Sequence, residues 1–298
     1  MSNSTAPKWY IGLVLLVAAI VFLIFIATPM QFAWGMWGLA LTEIGLLAIA
    51  LIPPFIFKWK LSDMLPIKKI TGKQFGATIL LYMATFIVMT TVTLITAYFF
   101  PAMLDVGSAL SSFFTTVPFI LALFIVAVMP AVCEEVLFRG AILHTFKSLK
   151  NEWVVMFIVA FFFGLFHLDA YRFLPTAIIG FVVTYLMIKT GNILLPMLYH
   201  FVNNAISVSS GFLFTGDSVD TSAETMAIGL GSIGIYLIFS AAAPPLYYCA
   251  NMLLAGKGKN MKGLVIALII SGLLFAAGVV IFAVALSNGL FDDIMNMM

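Results

Sequence analysis

Long stretches of the chain are apolar without two-residue alternation, and short polar segments separate them. The runs are Tyr10–Thr28, Gly35–Phe57, Phe75–Phe99, Val117–Leu143, Trp153–His167, Leu174–Ile188, Ile193–Leu213, Met226–Leu254 and Gly263–Leu286. Each is about 15 to 29 residues long, near the ~20 that cross a bilayer as helix. Lack of alternation excludes a β-barrel. The pattern predicts an all-α fold, a polytopic transmembrane helical bundle of about eight to nine spans, the fifth and sixth runs being short. The first run follows only Lys8 and lacks a small-residue cleavage site, so a retained span is expected.

Composition narrows the class. Hydrophobic residues make up 63% and charged residues 9%, against about 25% charged in a soluble domain. Too few charges remain to cover a water-facing surface, so a soluble globular enzyme and a disordered chain are excluded. Two cysteines, Cys133 and Cys249, both inside apolar runs, exclude a disulfide scaffold. All five Trp (Trp9, Trp34, Trp37, Trp59, Trp153) fall near span ends, as an interfacial belt requires.

Charge placement sets an orientation. With nine alternating spans and a cytoplasmic N-terminus, twelve of the fourteen Lys and Arg residues fall inside: Lys8, Lys58, Lys60, Lys68, Lys69, Lys73, Lys147, Lys150, Lys189, Lys257, Lys259 and Lys262. The outside segments hold acids, among them Asp105, Asp169 and Asp217, against one basic residue, Arg172. This segregation supports an N-in, C-out topology. Segment Leu61–Lys73, basic with interspersed Leu, Met and Ile, is expected along the inner membrane surface, with a solvated loop as the alternative. No repeat, low-complexity tract or boundary is visible, so residues 1–298 read as a single integral membrane domain. Gly229-Leu-Gly231-Ser-Ile-Gly234 fits a dinucleotide fingerprint by letters alone. It lies in an apolar run with no preceding strand and reads as a helix-packing surface.

Few ionisable groups lie at membrane depth: Glu43, Glu134, Glu135, Arg139, His167 and His200, with His144 at the inner end of the fourth span. Each costs at least ~2–3 kcal/mol at the bilayer centre if unpaired, so each should face the bundle interior with a partner. Glu135 and Arg139 are four apart with the acid N-terminal, the better orientation for a helical ion pair. Glu134 points about 100° away and is free for chemistry. Phe163 and His167 are four apart on the fifth span; His200 and Asn204 are four apart on the seventh. One acid, two His and an amide on three helices suit peptide hydrolysis. Glu134 with His167 can activate water, and His200 with Asn204 can hold the carbonyl oxygen. Glu134, His167 and His200 could alternatively bind zinc, although no H-E-x-x-H motif is present. Cys133, and the serines Ser207, Ser209 and Ser210, are poor nucleophile candidates.

These residues resemble the CAAX protease and bacteriocin-processing family, also called the Abi family. Its three motifs are Glu-Glu-x-x-x-Arg, here Glu134, Glu135 and Arg139; Phe-x-x-x-His, here Phe163 and His167; and His-x-x-x-Asn, here His200 and Asn204. The resemblance covers about residues 117–213, the motif-bearing core. It implies an intramembrane endopeptidase, with Glu134 and His167 activating water, His200 and Asn204 forming the oxyanion site, and Glu135, Arg139 and Phe163 structural or orienting. No cofactor is expected, zinc being the alternative. The expected partners are the bilayer and a membrane-associated peptide or protein substrate, with no nucleic acid. The expected location is a bacterial plasma membrane. A transporter and a catalytically silent membrane scaffold are the rival readings. One tension accompanies this reading. At ~1.5 Å per residue, His167 lies roughly 20 Å from the inner boundary and His200 about 10 Å, so span five must start shallow, tilt or be displaced inward.

Overall fold

The computed structural model describes residues 7–214, 229–256 and 260–290, and every regular element among them is helical. In order, the longer helices are α1 (Trp9–Trp34), α2 (Met36–Phe57), α3 (Gly72–Phe99), α4 (Met103–Phe114), α5 (Phe119–Phe146), α6 (Glu152–Phe166), α7 (Ala170–Thr190), α8 (Leu194–Phe214), α9 (Leu230–Ala255) and α10 (Met261–Asn288). Among the described residues seven are long and apolar enough to cross a membrane: α1, α2, α3, α5, α7, α9 and α10. All nine apolar runs fall on helices. Two of those helices lie outside the seven. α6 has only 15 residues, and α8, 21 residues long, carries His200, two Asn and three Ser that lower its apolarity. The amphipathic α4 was not foreseen. The start of the eighth run, at residues 226–228, lies outside the described residues, as does Asp217.

The chain packs as two compact units, residues 7–71 with 108–214, and residues 72–107 with 229–256 and 260–290. Both are equally apolar, which is why no boundary is visible in the sequence. In the second unit α3 meets α9 through hydroxyl pairs, Thr85 with Tyr247 and Thr91 with Ser240, each at 2.7 Å. α9 meets α10 through glycines. A Cβ on Gly234 would come within 2.7 Å of the Phe282 backbone nitrogen, and one on Gly278 within 2.7 Å of the Gly234 carbonyl oxygen. The glycine-rich letters are thus a packing surface between helices.

In the first unit, α1 turns into α2 at Gly35, whose φ of 54° is a conformation glycine adopts without steric cost. α5 is the most buried of the seven membrane-length helices. α6 and α7 approach closely at Gly164 and Gly180. A Cβ on Gly180 would lie 3.0 Å from Phe163 Cβ and 3.2 Å from Ala160 Cα. Gly180→Ala is therefore expected to cost ~1–3 kcal/mol through overpacking. Thermal unfolding of the purified protein checks it, and unchanged stability would refute so tight a contact.

The basic segment after α2 is mostly exposed and is tied to the helices at a few points. Met64 is buried, the Ile193 amide donates to the Pro66 carbonyl at 3.0 Å, and Asn192 bonds both the amide and the carbonyl of Lys68, at 3.2 and 3.0 Å. Trp59 departs from the expected belt. It is buried, stacked on Phe57 and tilted against His144, with ring centres 5.6 and 5.2 Å apart, whereas the other four Trp are exposed.

Candidate active site

α5 carries the first motif and departs twice from regular α geometry. Wide π-type turns at Leu123–Val128 and Val136–Ile142 flank Glu134 and Glu135; such bulges often occur at functional sites. The sequence supplies a cause for the first. In an α-helix the Val126 carbonyl would bond the amide of residue 130, but Pro130 has no N–H. That carbonyl instead accepts from Asn204 Nδ2 at 3.0 Å. Asn204 is held again at its oxygen, which accepts from Asn203 Nδ2 at 3.1 Å.

The expected ion pair is present, and it does more than neutralise charge. Glu135 and Arg139 are buried, with Arg139 NH1 donating to Glu135 Oε1 at 2.9 Å. The same Oε1 lies 2.9 Å from His200 Nδ1. One carboxylate oxygen thus anchors both the arginine of its own helix and the histidine of α8. Arg139 NH2 donates to the Gly180 carbonyl at 3.0 Å, and the guanidinium stacks 4.5 Å from the centre of the Phe163 ring. Phe163 is therefore a support for Arg139. It also meets His167 and His200 edge-on, at 5.2 and 5.9 Å between ring centres.

Glu134 is not drawn into this network. Its Oε2 has no hydrogen-bond partner among the described residues and lies 4.0 Å from His200 Nε2. His167 Nδ1 is 2.8 Å from the Phe163 carbonyl. A carbonyl only accepts, so Nδ1 carries the hydrogen, and the neutral ring keeps a lone pair on Nε2.

A cavity of about 230 Å³ is lined by Glu134, His167, His200 and Asn204. The depth tension disappears because α6 ends at Phe166, and its short length brings the next residue, His167, to the cavity that Glu134 and His200 line. Cys133, Ser207, Ser209 and Ser210 form no part of the wall. Among the described residues no three His, Cys, Asp or Glu side chains are grouped so as to hold a metal ion. Glu134, His167 and His200 share the cavity without converging as a ligand set.

The same wall includes Glu43 and Arg172, with Gln31 and Thr42, none of which belongs to the three motifs. Glu43 is buried, with Oε2 unpartnered among the described residues. Its signal was a carboxyl inside an apolar run. Arg172 was the one cation on the acidic side of the charge segregation, and that exception was its signal.

Helices of membrane-spanning length around a buried Glu–Arg–His network define an integral membrane protein with an embedded polar site. Residues 116–206 match the family model described as type II CAAX prenyl endopeptidase Rce1-like. The matched segment is less than a third of the chain and contains all three motifs. It bears out the family resemblance over the motif-bearing segment, and what that segment is similar to is a CAAX-type membrane endopeptidase. Comparison with the curated proteins and with the solved structures found no match.

Proposed function

We propose that the protein hydrolyses peptide bonds of membrane-associated protein or peptide substrates, in CAAX-type or bacteriocin-related processing, with water as the nucleophile. The observation that carries this reading is the shared cavity of Glu134, His167, His200 and Asn204. Glu134, together with the Nε2 lone pair of His167, takes a proton as the water oxygen attacks the carbonyl carbon. The developing oxyanion is held by the Nδ2 hydrogen of Asn204 not bonded to Val126 and by Nε2–H of His200 in its protonated form, the Nδ1 hydrogen being spent on the Glu135 carboxylate. The C–N bond then breaks, and the proton passes to the leaving amine. Glu135 and Arg139 position His200 and touch no reacting atom.

Asn204→Ala removes one oxyanion donor and is expected to lower turnover by about 100- to 1,000-fold. Single-turnover cleavage of a membrane peptide checks it, and a wild-type rate would remove Asn204 from the mechanism. The reaction is proposed to need no metal. Stoichiometric zinc in active protein, reduced in each of Glu134→Gln, His167→Ala and His200→Ala, would overturn that and favour the metal mechanism. Comparing membrane proteomes of cells with the intact protein and with Glu134→Ala separates a protease from a transporter or scaffold. A protease predicts an uncleaved membrane protein that accumulates only in the variant.

We infer a cytoplasmic N-terminus in a bacterial plasma membrane, supported by the segregation of the lysines. Lys60→Cys should then react with impermeant reagent only from the inside, and labelling from outside alone would sink this topology.

A further inference from the structure

A second cavity in the first unit, of about 430 Å³, shares no wall residue with the catalytic one. Its size falls in the range of ligand sites. One side is apolar, at Leu143, Val155 and Met187; the other is rich in donors, at Arg139, His144, Lys147 and Lys150. Two of these polar groups are more than nine-tenths buried and incompletely bonded. Arg139 Nε and His144 Nδ1 have no hydrogen-bond partner among the described residues. Buried polar groups are normally satisfied, so such groups in a cavity wall point to an absent partner. Lys147 spends one hydrogen on the Asp63 carbonyl, at 2.9 Å. The one carboxylate in the wall, Glu152, is already paired with Lys189 at 2.8 Å. A neighbouring cavity of about 670 Å³ also has His144 and Lys147 in its wall and adds Lys68 beside Asp63. The Asp63 carboxylate acts on both His144 and Lys147, but the two walls hold three lysines, Lys68, Lys147 and Lys150, against that one carboxylate outside the Glu152 pair, so the site still calls for anionic oxygens.

We propose that this cavity binds an anionic phospholipid. Headgroup oxygens accept from Lys147, Lys150 and His144, and the first carbons of an acyl chain lie along Leu143, Val155 and Met187. Free phosphate would satisfy the donors and leave the apolar wall against water. A zwitterionic lipid would bring a cation to a cationic rim.

The test uses the full-length protein in neutral detergent, titrated with phosphatidylglycerol, phosphatidylcholine or inorganic phosphate, with bound lipid read by native mass spectrometry. Phosphatidylglycerol is expected to bind about tenfold tighter than phosphatidylcholine, a preference that Lys147→Gln combined with Lys150→Gln removes. Val155→Trp, which fills the apolar side, should weaken both lipids. Lys58→Gln with Lys60→Gln, outside both cavities, should leave the preference intact. Equal binding of the two lipids by the wild type overturns the proposal. So does displacement of the lipid by millimolar phosphate, or a control pair that loses as much as the cavity pair. Should a cavity variant fail to fold, the wild-type lipid and phosphate arms still decide.

Discussion

Glu134→Gln is expected to give a folded protein whose cleavage of a membrane peptide falls by about 100- to 10,000-fold, the range that a general acid–base group contributes. The substitution keeps side-chain shape and removes the base. Folding should survive because Glu134 is no part of the Arg139 ion pair and its Oε2 bonds nothing among the described residues. Rate and thermal unfolding, measured on the same preparation, check both halves. Undiminished cleavage would overturn the water-activation mechanism and its zinc rival together, since each requires this carboxylate.

Arg139→Ala should fail in the opposite manner, through the fold. It leaves Glu135 buried without its guanidinium, the Gly180 carbonyl without that donor, and the Phe163 face without its cation. Breaking one partner of a buried ion pair costs about 3–5 kcal/mol, comparable to much of a protein's net stability. The yield of folded protein should drop along with activity. Full expression and unchanged thermal stability with activity lost would instead move Arg139 into the chemistry.

Most of the helical layout was legible because burial in lipid forces long apolar runs, and run length is a one-dimensional property. The pair Glu135–Arg139 was legible for a similar reason, since four-residue spacing lies within one helix. Long-range partners were not. The bond from Asn204 to Val126 depends on a proline four residues beyond its acceptor and on a helix 78 positions away. The anchoring of His200 by Glu135 bridges 65 positions. Trp59 looked like an interfacial residue because its place in the chain resembles that of the other four, and its burial against Phe57 and His144 is what separates it. Arg172 was visible as an exception to a charge rule, but an exception does not say which cavity it lines.

The order of synthesis gives the Glu135–Arg139 contact a further consequence. α5 emerges before α8 exists, so His200 cannot help its carboxylate when that helix first leaves the insertion machinery. Because acid and base are one helical turn apart, they can neutralise each other as soon as that turn forms, and the helix can partition into lipid without two bare charges. Glu43 has no such neighbour on its own helix and must enter as a lone carboxyl. Local pairing in α5 thus serves biogenesis before it serves the finished site.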